Sequence, residues 1–352
     1  KKKLKIYSIN KKIYRTLFYN LLQWLYLQEL NFFLKALQYK LKDFIMRLIF
    51  TTLIAIVGIA TAPLAATFGP LVEANDLAGA LDREQPILLD IRNAGYEDSH
   101  VDGALWAPYK LFRGTKDNPG GLVDLAVLEK HLERLGLEQD APIVIISEGN
   151  TDTDFGAAAR VYWTLKSTGF RDLSILNGGR IAWRDAKFPL NNTPETGVPS
   201  QLDLKFDTTW LADTDQVASV VKGEISGLLV DARLPEFFAG DKAHGAAKRP
   251  GTLPGAVNQS YTTFFENGAA AISAPTDVSA LKASLGIDGD DQVISFCNTG
   301  HWAATHWFAL SELANVKNAK LYAGSMVEYS NADLPMQNTP GVFKNLLRQI
   351  GF

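Results

Sequence analysis

The chain holds one cysteine in 352 residues. That excludes an internal disulfide framework and any zinc site assembled from several thiolates. The five histidines show no ligand spacing beyond His301 and His306, so no metal is expected. Low-complexity sequence is absent too. The 28 Gly and 15 Pro are dispersed through a chain that is 47% hydrophobic and 21% charged, which excludes collagen-like and wholly disordered classes. A mean hydropathy of −0.03 excludes a polytopic membrane protein. The formal charge of −3 hides a division. Residues 1–45 carry ten Lys or Arg against two acids, and the remainder carries 25 basic against 36 acidic side chains. An acidic body lacks the basic face that phosphate neutralisation needs, so nucleic acid is not an expected partner. A small anionic substrate is still admissible, because it responds to the local field. At about 150 residues per domain, the length predicts two domains.

Residues 46–66 open with Met46-Arg47, continue through Leu53-Ile54-Ala55-Ile56-Val57-Gly58-Ile59-Ala60 and end in Pro63-Leu64-Ala65-Ala66. A short positive start, an apolar stretch too short to span comfortably and small residues at its end predict a secretory signal peptide cut near Ala66. The expected location is periplasmic or secreted, with no stable membrane span after cleavage. Residues 1–45 contain no Gly or Pro and read as an over-extended, non-native segment ahead of Met46. The alternative for them is a basic, aromatic interfacial helix over Leu17–Leu37.

From about residue 67, apolar runs alternate with helical spacing. Ile87-Leu88-Leu89-Asp90 and Ile143-Val144-Ile145-Ile146 each follow a proline and have the length of buried parallel strands. Between them Leu125, Leu128, Leu132 and Leu135 recur at helical spacing and stop at Gly136. Phe155–Leu165 predicts a second helix, and Leu173-Ser174-Ile175-Leu176 a third strand. This is the rhythm of a parallel sheet covered on both faces. The pattern then returns. Leu229-Val230-Asp231-Ala232-Arg233 echoes Leu88-Leu89-Asp90-Ile91-Arg92, and Leu253-Pro254-Gly255-Ala256 echoes Val101-Asp102-Gly103-Ala104. Val293-Ile294-Ser295-Phe296-Cys297 echoes Ile143-Val144-Ile145-Ile146-Ser147, and Tyr322-Ala323-Gly324-Ser325 echoes Leu176-Asn177-Gly178-Gly179. Landmarks recurring in one order predict a duplicated domain, with copies at 67–190 and 202–352 and a polar, Pro-containing linker at 191–201. The register sets Ser147 opposite Cys297.

Cys297 follows the expected strand Val293–Phe296 and precedes Asn298-Thr299-Gly300-His301-Trp302, after which Ala303–Leu313 predicts a helix. A thiol at the carboxyl end of a parallel strand sits where open α/β sheets place ligands. The helix start aims unpaired N–H groups at the loop, and Gly300 lets several converge. Such surroundings favour the ionised, nucleophilic form of a thiol. The bland alternative is an inert core cysteine.

These residues resemble the tandem-domain rhodanese sulfurtransferases, a family that includes thiosulfate and 3-mercaptopyruvate sulfurtransferases. The carriers are Asp231-Ala232-Arg233 with Phe237 and Gly240, Gly251 to Asn258, the loop Cys297–Trp302, and Tyr322 to Tyr329. In the first copy they are His100 to Ala104 and Asn177-Gly178-Gly179 with Trp183. The resemblance implies an α/β fold of two tandem rhodanese-like domains, each a parallel sheet flanked by helices. The first is inactive and only the second has the catalytic thiol. It also implies a double displacement without metal or organic cofactor. Cys297 takes the sulfane sulfur of a small donor, thiosulfate or 3-mercaptopyruvate, and hands it from a persulfide to a cyanide or thiol acceptor. Asn298, Thr299, Gly300, His301, Trp302 and Arg233 are the expected substrate-binding residues; His100 has two readings, an interdomain contribution or, preferred, a structural turn histidine.

Departures from the family pattern leave the donor open. Thiosulfate-preferring members often carry cations where Asn298 and Thr299 stand. Mercaptopyruvate-preferring members have a Ser where Thr299 stands and a supporting Asp where Arg92 aligns. They also have a second Arg that is missing near Phe238–Ala239. The missing loop cations keep a non-catalytic persulfide carrier as a rival reading. A cysteine phosphatase needs an Arg six residues after the thiol, where Ala303 stands, and is excluded. Arg233 has two readings, grip on an anionic donor or pairing with a local carboxylate such as Glu236. His306 reads as a packed or capping histidine.

Overall fold

The structure is a computed structural model that describes residues 19–30, 32–35, 37–42, 67–266, 269–273, 277–287 and 291–341. The expected signal peptide at 46–66 lies outside the described residues. The chain falls into two units, Lys1–Pro63 and Leu64–Phe352. In the first, residues 19–30, 32–35 and 37–42 are helical. Among the described residues, no helix is long and apolar enough to cross a membrane.

The second unit holds the duplicated plan. Its first copy has strands β1 (Leu71–Val72), β2 (Ile87–Asp90), β3 (His100–Val101), β4 (Leu105–Trp106), β5 (Ile143–Ile146), β6 (Leu173–Leu176) and β7 (Leu190–Asn191). The second copy has β8 (Leu211–Ala212), β9 (Leu228–Asp231), β10 (Val257–Asn258), β11 (Val293–Phe296) and β12 (Ala319–Tyr322). The sheet order β4-β2-β5-β6-β1 is matched strand for strand by β10-β9-β11-β12-β8. Every pairing within both sheets is parallel. The ribbon of β3 and β7 is antiparallel, and the second copy keeps a single bridge, Thr252 to Gln337, at the matching place. Central strands β5 and β11 are buried along their whole length, which is why they read as unbroken apolar runs.

Helix ends follow local chemistry. Asp124 accepts hydrogen bonds from the amides of Ala126 and Val127, and Gly136 closes the helix Leu125–Leu135 at φ 75°. Thr151 and Asp154 form a capping box that starts the helix Asp152–Ser167. The helix expected over Ala303–Leu313 is α-helical only over Trp302–Phe308, and Ala309–Leu313 widens into a π-helical turn. There the amides of Ala314 and Val316 reach back to the carbonyls of Ala309 and Leu310, at 2.9 Å each.

The stretch expected as a linker, 191–201, is mostly exposed, and the chain at and just beyond its end is tied to the first copy. Ser200 N donates to Glu133 O at 2.9 Å, and the amides of Leu202 and Leu204 donate to the carboxylates of Glu133 and Glu129 at 3.1 and 2.7 Å. Its composition marked the lack of regular structure, which is different from freedom to move.

Helix Asp152–Ser167 is buried on nearly all sides because it lies between the two sheets. Phe155 and Tyr162 meet Phe308 edge-on, with ring centroids 5.5 and 5.1 Å apart, and Lys166 pairs with Glu312 at 2.8 Å. Trp163, Trp307 and Cys297 belong to the same cluster, so the two copies share one core. Each large apolar side chain buried there contributes about 1.5–3 kcal/mol. The first copy is thereby fixed against the loop that carries the thiol.

Candidate active site

Cys297 begins at the carboxyl end of β11 and is 1% exposed. Its loop is held by Ser325. The Ser325 Oγ accepts from the amides of Cys297 and Gly300 at 3.0 and 3.1 Å and donates to the Tyr322 carbonyl at 2.8 Å. Ser325 has φ 54°, and the matching residue of the first copy is Gly179 at φ 61°. A side chain in this left-handed region costs about 1–2 kcal/mol, and the three hydroxyl bonds offset it. Farther along, Met326 N donates to Cys297 O and Val327 N to Asn298 O, at 3.1 and 3.0 Å. The first copy repeats this frame, with Arg180 N on Ser147 O and Ile181 N on Glu148 O at 2.8 and 3.0 Å. Among the described residues, no group accepts from the amides of Asn298, Thr299, His301 or Trp302. These N–H groups are the donors the loop has left for an anion on the sulfur.

The other expected site residues divide. Arg233 does not stand free for a donor, and Glu236 is not its partner. Its Nε and Nη2 bind the Asp231 carboxylate at 2.8 and 2.6 Å, and Nη2 also reaches Gly251 O at 2.8 Å. Its Nη1 donates to Asn298 Oδ1 at 3.2 Å, so Arg233 and Asn298 together pin the start of the loop. Thr299 turns its carbonyl to Arg113 of the first copy at 2.9 Å. Gly300 takes φ 64°, and a Cβ there would stand 2.4 Å from both Ala323 O and Arg160 Nη1. Trp302 stacks on Tyr261 with centroids 5.0 Å apart, meets Phe237 edge-on, and donates from Nε1 to Thr153 Oγ1 at 3.3 Å.

His301 is locked between the copies. Its Nε2 meets Thr153 O at 2.9 Å and its Nδ1 meets Tyr109 OH at 2.7 Å, so Nε2 carries the proton and Nδ1 accepts. Burial, reinforced by the Arg113 guanidinium, pushes its pKa down to about 3. It is a neutral wall residue that touches the neighbouring cavity with one edge. His100 is elsewhere. It lies fully buried in β3, stacks on Tyr96 at 3.9 Å and donates from Nδ1 to Tyr96 O at 2.7 Å. Its bonds and ring contacts are inside the first copy, so the structure does not bring it to the thiol. His306 packs behind β11, between Ser295 Oγ and Gln259 Oε1 at 2.8 Å each.

The first copy supplies groups that sequence reasoning missed. Arg113 donates to Tyr109 OH at 3.0 Å as well as to Thr299 O. Arg160, in the helix Asp152–Ser167, donates to Gly300 O at 3.3 Å and to the carbonyls of Gly120 and Gly121 at 3.0 and 3.1 Å. Gly120 closes over the loop, and a Cβ on it would stand 2.6 Å from Ala323 O and 2.9 Å from Thr299 Cα. One signal was legible, a single arginine inside the otherwise apolar and small run Phe155 to Trp163.

A cavity of about 510 Å³ opens beside this interface. It lies over the first copy's Ser147 and Glu148, is flanked by Arg92 and Arg180, and reaches the second copy at His301. Cys297 does not line it, so a donor must pass packed groups to meet the sulfur.

Comparison with known proteins matches this geometry. A "Putative thiosulfate sulfurtransferase" of Mycolicibacterium smegmatis is 28% identical over 255 residues, covering 69% of this chain and 87% of that protein. One of the same name from Synechococcus elongatus is 27% identical over 313 residues, covering 84% and 94%. Among solved structures, the 3-mercaptopyruvate enzyme SseA of Escherichia coli superposes with a TM-score of 0.63 at 23% identity, over 73% of this chain and 98% of that one. Tum1 of Saccharomyces cerevisiae gives 0.65 at 18% identity, over 78% and 99%. The family model of the Rhodanese-like domain matches residues 73–186 and 213–332, and the chain therefore belongs to the rhodanese-like family, in two tandem copies.

Proposed function

We propose that the protein is a sulfurtransferase that carries sulfur as a persulfide on Cys297. One observation carries the reading. The sole thiol stands at the carboxyl end of β11, in a loop whose amides at 298, 299, 301 and 302 are unclaimed among the described residues. In the first half-reaction the Cys297 thiolate attacks the sulfane sulfur of the donor. The donor's bond to that sulfur breaks, and the electron pair leaves with sulfite when the donor is thiosulfate. In the second, a cyanide or thiol acceptor attacks the terminal sulfur and the pair returns to Cys297 as thiolate. The free loop amides face the charge that develops on sulfur.

Thiosulfate is the donor this geometry favours. Arg233 is committed to Asp231, Gly251 and Asn298, and His100 is buried away from the loop. Arg233 and His100, the expected cationic and interdomain contributors, are thus not offered to a substrate carboxylate. The curated relatives bear the thiosulfate name, which supports the same choice. Export through the segment 46–66, giving a periplasmic or secreted enzyme, belongs to this proposal and rests on the signal-like sequence alone.

Intact-mass measurement after separate exposure to thiosulfate and 3-mercaptopyruvate tests it. The expected result is a gain of about 32 Da, one sulfur atom, with thiosulfate and coupled sulfite release. Cys297→Ser abolishes both. A wild-type protein that gains no sulfur from either donor overturns the reading, and gain without turnover makes it a carrier.

A further inference from the structure

The loop at 298 and 299 holds no cation, yet the site is not without positive charge. Arg160 is 1% exposed, and among the described residues no carboxylate pairs with it. Its hydrogen-bond partners are three backbone carbonyls, its guanidinium also lies over the Trp163 ring at 5.0 Å from the centroid, and its buried Nε has no hydrogen-bond partner among the described residues. A buried guanidinium held only by neutral dipoles is costly unless an anion completes it. Burial lowers its pKa to about 9, with neighbouring Arg113 adding repulsion, so it is still charged near neutrality. Its Nη1 meets Gly300 O at 3.3 Å, three residues beyond Cys297 in the same loop, and Tyr109 stands on the same interface. Burial raises the Tyr109 phenol, which leaves that group uncharged.

Most of the remaining groups around the thiol are neutral or paired. Tyr261 from the adjacent 3₁₀ turn is also raised by burial and uncharged. His301 is neutral, and Arg233 is paired with Asp231. Arg113, bonded to Tyr109 OH and Thr299 O, is a second cation of the first copy at this interface.

We propose that Arg160, a residue of the thiol-less first copy, is the charge partner of the Cys297 thiolate and persulfide. It replaces across the domain interface the cations that the loop itself lacks. The inference rests on the sulfurtransferase reading of Cys297 and gives the first copy a part in it. In the resting enzyme Arg160 supplies a positive charge beside the loop that carries the sulfur. After transfer it faces the terminal sulfur while its carbonyl bonds keep the fork in place.

The test is the pH profile of Cys297 alkylation by iodoacetamide in wild type, Arg160→Gln, Arg160→Met and Arg160→Lys, with thiosulfate turnover measured beside it. Changed access alters the plateau rate, whereas a lost charge moves the profile along the pH axis. The neutral variants are expected to react about tenfold more slowly at pH 7, with the profile moved to higher pH, and to lose about tenfold in kcat/KM. Arg160→Lys is expected to restore most of both. A neutral variant that folds and keeps the wild-type profile overturns the proposal, as does a lysine variant no better than glutamine. Should the neutral variants fail to fold, a crystal structure of the persulfidated wild type decides. A guanidinium nitrogen within ion-pair distance of the terminal sulfur supports the proposal, and an Arg160 that keeps only its carbonyls overturns it. A wild type that forms no persulfide is a different failure, of the function itself.

Discussion

Ser325 offers the sharpest check on how the loop is held. Replacing it by alanine keeps the Cβ at φ 54° and removes the one acceptor shared by the amides of Cys297 and Gly300. Two buried donors are then unpaired, as is the Tyr322 carbonyl that received the hydroxyl proton. At about 1–3 kcal/mol for each unsatisfied group, with partial relaxation, Ser325→Ala is expected to destabilise the protein by about 2–4 kcal/mol. Ser325→Gly loses the same bonds but relieves the left-handed strain. That strain is about 1–2 kcal/mol for an L side chain, of which glycine's extra chain entropy takes back about 0.5–1. Glycine should therefore be the milder variant by roughly 1 kcal/mol, although it is the more drastic truncation. Urea unfolding supplies the stabilities, and single-turnover sulfite release reports the loop, since freed amides at 297 and 300 no longer fix the sulfur. An alanine variant within 0.5 kcal/mol of wild type, or a glycine variant weaker than alanine, would falsify the account of this residue.

Two further tests concern other parts of the same frame. Burial holds His306 at a pKa of about 3 against the usual 6.5, so the folded form stays neutral where the unfolded chain takes a proton. Its contribution is complete above pH 6.5 and is lost as pH falls toward 3, at about 1.4 kcal/mol per unit. Unfolding free energies from urea titrations at pH 7 and 4.5 should thus differ by about 2–3 kcal/mol more in wild type than in His306→Gln, and equal pH dependence in the two would refute it. Gly120→Ala drives a methyl group into Ala323 O and Thr299 Cα, and thiosulfate turnover should fall at least tenfold as the first copy lifts from the loop. Gly103→Ala, at a positive φ but in open space, is the control and should leave turnover unchanged.

The elements were legible wherever local chemistry decides them. Val293–Phe296 is a strand over the residues its apolar run predicts, because both faces of a central parallel strand are covered. Asp124 and Gly136 mark the ends of their helix through bonds made within three residues. The repeat gave the register that aligns Gly179 with Ser325, and a serine in a glycine's place was a visible signal. The cross-interface groups were not visible in the same way. Tyr109, Arg113, Thr153 and Arg160 lie between about 140 and 190 positions from the loop they touch, and no periodicity reports a contact of that range. The surroundings of His100 were hidden for a related reason. A motif match fixes the residue type, but its burial beneath Tyr96 follows from packing inside its own copy.

Comparing the two copies position by position explains why the thiol site draws its charge from outside. In both, the arginine of the Asp-x-Arg motif is clamped by its aspartate and donates to the residue after position 147 or 297. That residue is Glu148 in the first copy and Asn298 in the second. Glu148 also binds Arg180 at 2.5 and 3.0 Å, and those bonds, working against burial, hold its carboxyl below the usual range. The first copy's cavity is therefore lined by an ion cluster that neutralises itself. In the second copy the Arg180 position is Met326 and the carboxylate is an amide, so the fixed charges next to the sulfur are gone. A carboxylate at 298 would repel an anionic sulfur one residue away, and a cation at 326 would have paired with that carboxylate rather than with the sulfur. Removing both leaves a neutral cradle of amides, on which the guanidiniums of the neighbouring copy, Arg160 and Arg113, act with little local screening.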